Sequence, residues 1–393
     1  MIVRNLASSL VEAASCYPVV TLTGPRQSGK TTLCRAVFPS HRYVSLEQMR
    51  DRDYAAEDPG GFLREHSEGV IIDEVQRVPE LLSWLQVEVD ERPDPGRFIL
   101  TGSQHFGLSA AISQSLAGRT AVLTLLPPSL EELKRFQSPS NDELMQMLWT
   151  GAYPRIHDRG IPADRWLADY ISTYIQRDVR EVLNVGDLRA FTTFVKLCAG
   201  RTACEVNLSA LAGDAGITHN TAKAWLSVLE TSYLCALIPA WHSNLRKRLV
   251  RRPKLHFYDS GLVCALLGID SPEQLRHHPL RGALFESWVI SEIIKQRLHS
   301  GRVAGVHHLR QARGLEVDAV VEDGGRVVMV EVKSGETIRK EHLGPLLRLS
   351  EQLRDSGEGR SLDPVLVYGG GELQRRSNAT VLPWSRIEAG PWR

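Results

Sequence analysis

The stretch PVVTLTGPRQSGKTTL, residues 18–33, decides the fold of this 393-residue chain. It begins with apolar and β-branched residues that are typical of a buried strand, and a helical pattern follows as far as Phe38. The loop between them fits G-x-x-x-x-G-K-[ST], in which glycines allow backbone N–H groups to surround phosphate oxygens. The N-terminus of the next helix adds the positive end of its dipole. The stretch therefore predicts a strand, a phosphate-binding loop and a helix.

The residues of this loop predict a nucleotide site that uses ATP and Mg²⁺. We expect Lys30 to reach the β- and γ-phosphates and the Thr31 hydroxyl to coordinate the metal ion. An ordinary glycine-rich turn is the alternative, but the strand before the loop and the helix after it disfavour that. The loop residues expected to bind the nucleotide are Gly24, Gly29, Lys30, Thr31 and Thr32.

A second motif, GVIIDEVQ at residues 69–76, adds carboxylates to this site. Its apolar run predicts a buried strand that ends at Asp73 and Glu74. Asp73 at the carboxyl end of a strand suits Mg²⁺ coordination, and Glu74 suits the polarisation of an attacking water molecule. The pair therefore favours hydrolysis of the nucleotide.

Three further apolar segments, residues 42–47, 97–104 and 119–127, complete a set of five short strands that alternate with helical stretches. This alternation predicts a parallel α/β sheet whose ligand lies at the carboxyl ends of the strands. Ser103, at one such end, is expected to sense the γ-phosphate, with an ordinary turn residue as the alternative. Arg119 is expected to sense phosphate or to act as a finger in a neighbouring subunit of a homo-oligomer, with a plain surface arginine as the alternative.

Composition excludes several classes of protein. Hydrophobic residues make up 42% and charged residues 24% of the chain, which excludes a disordered or collagen-like protein. The 47 basic and 46 acidic residues leave a formal charge of +1, so a surface that attracts nucleic acid has to be local. No apolar run approaches the ~18 to 20 residues that span a bilayer. We expect a cytoplasmic protein of several domains without a membrane partner.

The middle of the chain predicts helices and a DNA-binding element. Residues 208–213 and 218–230 have the spacing of a helix-turn-helix, and an apolar strand follows them as in a winged helix. The densest basic cluster of the chain comes next. A wing that contacts DNA phosphates is one interpretation of this cluster, and a solvated connector is the other. The cluster comprises Arg246, Lys247, Arg248, Arg251, Arg252 and Lys254.

The segment GLEVDAVVEDGGRVVMVEVKSG, residues 314–335, predicts a β-hairpin, because two alternating stretches flank Asp-Gly-Gly. A loop of residues 324–325 would place Asp318 directly opposite Glu331. A loop of residues 323–324 would make the two carboxylates diagonal neighbours, and a three-residue loop would put them on opposite faces. In either two-residue case we expect the other face to be apolar and to pack inward. That face comprises Val317, Ala319, Val321, Val328, Val330 and Val332.

Two carboxylates on one face of a hairpin repel each other unless a cation lies between them. A divalent metal ion is the natural candidate, with Asp318 and Glu331 as ligands. Lys333, on the same face, is expected to orient or activate a water molecule for attack on a phosphodiester. Upstream, residues 282–298 form an amphipathic helical pattern in which Glu286 lies among apolar residues, and we expect it to bind the same ion. A solvent-facing hairpin with ordinary polar residues is the alternative.

The order of these motifs resembles that of the predicted prokaryotic AAA-type ATPases that carry the C-terminal domain of unknown function 4143. The resemblance covers nearly the whole chain and rests on GPRQSGKTTL, VIIDEVQ, FILTGSQ, SLAGRT, TYIQRDV, KLHFYDSGL, GALFESWVI, EVDAVVE and VEVKSG. It implies a P-loop ATPase domain over residues 1–135 and a helical and winged-helix region over 136–250. It further implies a linker over 251–275 and a domain similar to PD-(D/E)xK nucleases over 276–393.

The nuclease motif, matched residue by residue, implies a site of Glu286, Asp318, Glu331 and Lys333, with Val317 where the name pattern of the superfamily has a proline. Together these observations predict an α/β multidomain protein whose ATPase cycle controls a nucleic-acid-processing domain, with DNA as a partner. One alternative is a nucleotide-switched protein whose C-terminal fold has lost cleavage and only binds DNA or a protein. Another is a nucleotide-driven regulator that acts through its winged helix.

Overall fold

The structure is a computed structural model that describes residues 2–102, 115–136, 143–175, 187–241, 252–311, 314–355 and 358–392. These residues form a parallel sheet flanked by helices, a helical region with a small antiparallel sheet, and a larger mixed sheet. None of the described helices is both long and apolar enough to cross a membrane.

Five parallel strands form the N-terminal sheet, in the order β2-β3-β4-β1-β5, which confirms the predicted parallel α/β sheet. The strands are β1 (Val19–Thr23), β2 (Arg42–Ser45), β3 (Val70–Asp73), β4 (Phe98–Thr101) and β5 (Thr120–Thr124). The helices are α1 (Leu6–Cys16), α2 (Lys30–Val37), α3 (Met49–Glu57), α4 (Pro59–Glu65) and α5 (Leu81–Glu91). Strands β1, β3 and β4 are fully buried because helices cover both faces, which explains their continuous apolar sequences.

The middle region begins with short helices and continues into a unit of helices and antiparallel strands in the order β6-β8-β7. The short helices are α6 (Leu130–Phe136), α7 (Leu144–Thr150), α8 (Pro154–Arg159) and α9 (Ala163–Tyr170). The unit comprises α10 (Leu188–Ala199), β6 (Cys204–Glu205), α11 (Leu208–Ala215), α12 (His219–Thr231), β7 (Cys235–Ile238) and β8 (Lys254–Phe257). The side chains of Asn207 and Thr218 accept backbone N–H groups where α11 and α12 begin, which is why both helices begin within a residue of the predicted positions.

Residues 251–275 were expected to form a linker, and this expectation is wrong. Strand β8 lies within them and is buried, and it is followed by α13 (Ser260–Leu267), which is buried along most of its length, and by α14 (Pro272–His277). The Asp259 side chain accepts the N–H of Leu262 at 2.8 Å and that of Ala152 at 2.7 Å. The short stretch LHF after a basic run has too little periodicity to predict a strand, and its burial comes from distant neighbours.

A six-stranded mixed sheet forms the C-terminal part, in the order β13-β14-β12-β11-β10-β9. Helix α15 (Arg281–Leu298) packs against one face and α16 (Gly344–Asp355) against the other. The strands are β9 (Val306–Arg310), β10 (Glu316–Asp323), β11 (Arg326–Lys333), β12 (Ser361–Tyr368), β13 (Gln374–Arg375) and β14 (Thr380–Pro383). Every residue of α15 from Ser287 to Arg297 is buried, so this helix runs through the interior of the molecule.

The hairpin of β10 and β11 turns at residues 324–325, because Asp323 pairs with Arg326 and Ala319 with Val330. This turn is the one of the first predicted alternative, and the regular pairing runs from Asp323 as far as Ala319. The second part of the prediction needs correction, because helices bury both faces of the hairpin. The five residues that share the face toward α15 are Ala319, Val321, Val328, Val330 and Val332, whereas Val317 packs on the α16 side. The pairing of β10 with β9 is irregular between Val317 and Val320, and this irregularity interrupts the alternation of side chains between the two faces of the sheet.

Candidate functional site

The phosphate loop lies between β1 and α2, and its geometry requires glycine at two positions. Gly24 has a φ of 143°, and a Cβ there would lie 2.2 Å from the carbonyl oxygen of Leu125. Gly29 has a φ of 94° and directly precedes α2, which begins at Lys30. Side-chain-bearing residues rarely adopt either conformation. The loop therefore leads into a helix N-terminus, an arrangement that binds phosphate.

Lys30 is buried and folds back over its own loop. Its Nζ donates to the carbonyl oxygens of Gly24 at 3.0 Å and Pro25 at 2.9 Å. Burial lowers the pKa of Lys30 to about 8, although the nearby carboxylates of Glu74 and Asp73 oppose this shift. Among the described residues, its direct hydrogen-bond partners are these two neutral carbonyl groups, so the ammonium can exchange them for anionic oxygens.

Asp73 ends β3 and accepts hydrogen bonds from three hydroxyl groups. Thr31 donates to Oδ2 at 3.0 Å, Tyr43 donates to the same oxygen at 2.8 Å, and Thr101 donates to Oδ1. The structure thus brings together Thr31 and Asp73, the pair expected to bind Mg²⁺. Tyr43 and Thr101 were missed in the sequence, although they lie in the two strands that flank β3 in the sheet.

Glu74 follows Asp73 in a left-handed backbone conformation, with a φ of 58°. Such a conformation is strained for a residue other than glycine, and strain of this kind concentrates at functional sites. Its carboxylate accepts a hydrogen bond from the Gln76 side chain. Burial raises the pKa of Glu74, while the charge of Lys30 opposes the rise. A carboxylate with a raised pKa in this position suits a general base.

These residues surround a cavity of about 680 Å³, a size that accommodates a small-molecule ligand. The loop lines it together with Thr31, Thr32, Asp73 and Glu74. Further lining residues come from other parts of the chain and were not predicted from the sequence. They include Arg4, Glu47, Arg155, Asp158 and Arg159. The last three belong to α8, so the middle region lines part of the cavity.

Arg119 is not among the described residues that line this cavity. Ser103 lies outside the described residues. Arg119 directly precedes β5, and Thr120 pairs with Val19 at the amino end of β1. The side chain of Arg119 binds Asp90 through Nε at 2.6 Å and Nη2 at 2.8 Å. A role for Arg119 in its own phosphate loop is therefore wrong, because the loop follows the opposite, carboxyl end of β1.

A second cluster of charged residues is formed by side chains of α15, β10 and β11. Asp318 accepts the backbone N–H of Val332 through Oδ2 at 2.8 Å, which holds its carboxylate against β11. Lys333 donates to Glu331 Oε1 at 2.6 Å. Glu286 approaches from α15, and its pKa responds to the charge of Asp318. The four residues matched to the nuclease motif thus lie near one another.

Lys254 also belongs to this carboxylate cluster, although the sequence predicted it to be part of the basic surface cluster. Its Nζ lies 2.8 Å from Glu316 Oε1, 3.2 Å from Glu286 Oε1 and 4.0 Å from Asp318 Oδ1. The residue is 3% exposed, so its assignment to a basic surface cluster is wrong. Burial in β8 turns its side chain toward the carboxylates, whereas residues 246–251 of that basic cluster lie outside the described residues.

The electrostatics of the carboxylate cluster reflect an excess of acids. Burial, followed by the charge of Asp318, raises the pKa of Glu286 to about 8 and that of Glu331 to about 7. Burial also raises the pKa of Asp318 itself, against the opposing charges of Lys254 and Lys333. Negative charge is therefore costly here and is balanced by ammonium groups.

The donors of the cluster fit a hard cation, but the present conformation does not assemble a metal site. Carboxylate oxygens suit Mg²⁺ or Mn²⁺, and Glu331 Oε2 is buried without a hydrogen bond to any described residue. Over the described ranges, however, no three His, Cys, Asp or Glu side chains are grouped so as to hold a metal ion. The predicted ligands Glu286 and Asp318 face the ammonium of Lys254 instead.

Three family descriptions match consecutive parts of the chain. Residues 17–134 match an AAA domain, residues 141–273 match domain of unknown function DUF8612, and residues 281–387 match domain of unknown function DUF4143. The second match spans most of the region that the sequence analysis divided between a winged-helix segment and a linker.

Several proteins and structures are similar to this chain. The Walker-type ATPase PABY2304 of Pyrococcus abyssi is 17% identical and covers 66% of this chain and 94% of its own, with a TM-score of 0.46. RuvB of Thermotoga maritima is 23% identical and covers 59% and 87%, with a TM-score of 0.31.

Among curated proteins, uncharacterized protein Rv2008c of Mycobacterium tuberculosis is 30% identical over 339 residues, which are 85% of this chain and 74% of that protein. Uncharacterized protein Mb2031c of Mycobacterium bovis matches to the same extent. This identity over most of both chains agrees with the consecutive domain matches. The chain therefore belongs to the family of AAA-type ATPases that carry domain of unknown function 4143 at their C-terminus.

Proposed function

We propose that this protein is a Mg²⁺-dependent ATPase whose nucleotide cycle controls its C-terminal domain. The observation that carries the proposal is the convergence of Lys30, Thr31, Asp73 and Glu74 on one cavity that residues of the middle region also line. Thr31 and Asp73 would hold Mg²⁺, which would neutralise charge on the phosphates. Lys30 would exchange its two carbonyl partners for phosphate oxygens, and Glu74 would take a proton from the attacking water.

The experiment separates nucleotide binding from hydrolysis. Lys30→Ala should abolish binding of a fluorescent ATP analogue, because it removes the ammonium that meets the phosphates. Glu74→Gln should bind the analogue as the wild type does but should not turn over ATP. Glu80→Gln and Lys196→Ala, which change exposed residues, are the matched controls and should behave as wild type. Unchanged hydrolysis in both Lys30 and Glu74 variants would refute the proposal.

We also propose that the unit from α10 to β8 is a winged helix that binds DNA. Its element order and three antiparallel strands support this, as does the exposure of His219, Asn220 and Lys223 on α12. Replacing Arg248, Arg251 and Arg252 by Glu should weaken DNA binding and flatten its salt dependence by about one unit of slope per lost phosphate contact. A variant with the wild-type slope would mean that the segment is a solvated connector.

For the C-terminal domain we propose a fold similar to PD-(D/E)xK nucleases in which Glu286, Asp318 and Glu331 would hold a divalent metal ion. Lys333 would orient the attacking water. The ion pairs of Lys254 favour a second candidate, a domain that binds DNA or a protein without cleaving it. Incubation of DNA and RNA with the protein and Mn²⁺, with and without ATP, separates the two candidates. Cleavage that is lost in Asp318→Asn supports the first, and its absence under all conditions supports the second.

A homo-oligomer is part of the same proposal. Arg119 is distant from its own phosphate loop but partly exposed, so it is available to reach the nucleotide of a neighbouring subunit. Arg119→Ala would then lower ATP turnover only under conditions in which the protein assembles. Equal turnover per chain for Arg119→Ala and wild type at every protein concentration would refute this role.

A further inference from the structure

Arg4 connects the phosphate loop to the interior of the protein. Its Nη1 donates to the carbonyl oxygen of Ser28 at 2.7 Å, and its Nη2 donates to that of Leu126 at 2.5 Å. Its Nε lies 3.2 Å from Glu132 Oε2. The residue is buried and also lines the nucleotide cavity. One guanidinium thus binds the phosphate loop, the segment after β5 and a carboxylate of α6.

Glu132 is fully buried and is saturated with partners. Oε1 accepts the N–H of Asn5 at 2.6 Å, and Oε2 accepts the N–H of Ser129 at 2.8 Å. Oε2 also lies 3.4 Å from His299 Nδ1. Burial opposes its ionisation, but His299, Arg4 and the Asn5 N–H together lower its pKa well below the ordinary range. Glu132 is therefore an anion at neutral pH, held between the N-terminal domain and the end of α15.

His299 directly follows α15 and completes this connection. Its Nε2 accepts the backbone N–H of Leu126 at 3.2 Å, so the ring is neutral and carries its proton on Nδ1, toward Glu132. One turn earlier, Lys295 donates to the carbonyl oxygen of Pro128 at 3.2 Å and to Glu292 at 2.9 Å. The end of α15 therefore holds the same segment that Arg4 holds from the side of the nucleotide cavity.

Helix α15 carries the contact onward to the second site. His299 lies thirteen positions after Glu286, which corresponds to about 20 Å of helix. Its interior course leaves little room for independent movement of its two ends. Glu286 lies in the carboxylate cluster, 3.2 Å from Lys254. A shift of α15 along its axis would thus change the distance between the Glu286 carboxylate and the Lys254 ammonium.

We propose that Arg4 is a positioning residue of the nucleotide site and that Arg4, Glu132 and His299 energetically couple nucleotide binding to the packing of α15. The proposal rests on the proposed nucleotide site. A nucleotide that reshapes the loop at Ser28 changes the position of Arg4, and the buried ion pair transmits this change to His299. By linkage, a change at His299 alters nucleotide affinity by the same factor.

The test measures the Kd of a fluorescent ATP analogue with Mg²⁺ on the full chain. Arg4 itself touches the cavity, so the informative variant is His299→Gln, which lies outside the cavity lining. We expect its Kd to rise by about 5- to 150-fold, the usual range of coupling between sites. The matched control is Arg302→Gln, just beyond the same helix, because Arg302 is exposed and donates to the Asp323 carboxylate instead. Its Kd should equal that of wild type.

Two further measurements test the coupling even if one of the variants folds poorly. Arg4→Lys combined with His299→Gln should change Kd by less than the product of the single changes, because both act through Glu132. Nucleotide should slow hydrogen exchange within α15 in the wild type. A wild-type Kd for His299→Gln, an equal change in Arg302→Gln, or multiplicative effects in the double variant would overturn the coupling. Wild-type affinity in Lys30→Ala would instead refute the nucleotide site.

Discussion

In the nucleotide site, Lys30 donates to carbonyl oxygens of its own loop, whereas in the carboxylate cluster Lys254 lies among the carboxylates. Asp73 is held by three neutral hydroxyl donors, while Glu286 and Asp318 face an ammonium group. Both places contain acids at strand ends and a buried lysine. The difference lies in which groups surround the acids.

This difference teaches how two similar sets of side chains acquire different tasks. A carboxylate that accepts hydrogen bonds from hydroxyl groups keeps its charge and can attract a cation. A carboxylate that is paired with a buried ammonium is already neutralised, and separating the pair costs free energy. The nucleotide site is thus arranged to receive Mg²⁺, whereas the carboxylate cluster first has to release Lys254.

The largest effect is expected from removing the ammonium of the cluster. Lys254→Met should lower the free energy of unfolding by about 3–5 kcal/mol in mildly alkaline buffer, because it leaves buried carboxylates uncompensated. Urea denaturation measures this, and Lys340→Met at an exposed position is the control. Equal stability of the two variants would show that Lys254 does not neutralise the cluster.

In the nucleotide site, the corresponding change is Asp73→Asn, which removes the charge of the carboxylate and keeps nearly its volume. Asp73→Asn should lower the kcat of Mg²⁺-dependent ATP hydrolysis by on the order of 10²- to 10³-fold, the scale of losing one electrostatic contact in an active site. Asp53→Asn, at an exposed position, is the control. A wild-type kcat for Asp73→Asn would break the contrast, since it would mean that the hydroxyl groups around Asp73 serve structure alone.

The two sites should also respond to pH with opposite signs. The pKa of Glu286 is raised to about 8, so between roughly pH 4.5 and 8 the folded chain holds a proton that the unfolded chain has released. The contribution of Glu286 to the free energy of unfolding therefore falls as pH rises through this range. The pKa of Lys30 is lowered to about 8, so between roughly pH 8 and 10.5 only the unfolded chain holds the proton, and the contribution of Lys30 rises with pH.

Urea denaturation across this pH range checks both signs. Glu286→Gln should flatten the decline of stability below pH ~8, and Lys30→Met should flatten the rise above it. Wild-type slopes in both variants would contradict the placement of these groups in buried surroundings.

The smallest effect is expected at Arg119. Since its side chain binds Asp90 at the amino end of the sheet, Arg119→Ala should leave the Kd for ATP unchanged in the isolated chain. A titration with the fluorescent analogue measures this. A clear loss of affinity would place Arg119 in the nucleotide site after all and would contradict the observed strand direction.

The parts of these sites that are local in sequence could be predicted from sequence. The phosphate loop is one continuous segment, and its glycines and Lys30 have fixed spacing. Asp73 was identifiable because a buried apolar run ends there. The hairpin register was one of three alternatives, and adjacent glycines at 324–325 agree with the turn that the structure adopts.

The remaining parts depend on contacts between distant segments. Lys254 is 32 residues from Glu286, and no periodicity indicates that β8 turns this side chain inward. Arg4 is 122 residues from Leu126, which it binds. For Arg119, the strand and the position of the ligand at the carboxyl ends were predicted correctly, but Arg119 itself lies at the amino end of its strand. A single sequence gives side-chain types and local geometry, whereas these pairings arise only when the units pack together.

The most direct test of the central contrast is the number of Mn²⁺ ions that bind to the chain in the absence of nucleotide, measured by electron paramagnetic resonance. We expect Lys254→Met to bind one more Mn²⁺ than wild type, and the double variant Lys254→Met with Glu286→Gln to bind it more weakly. This result would mean that the ammonium of Lys254 takes the place of a metal ion. Equal Mn²⁺ binding by wild type and Lys254→Met would contradict the account.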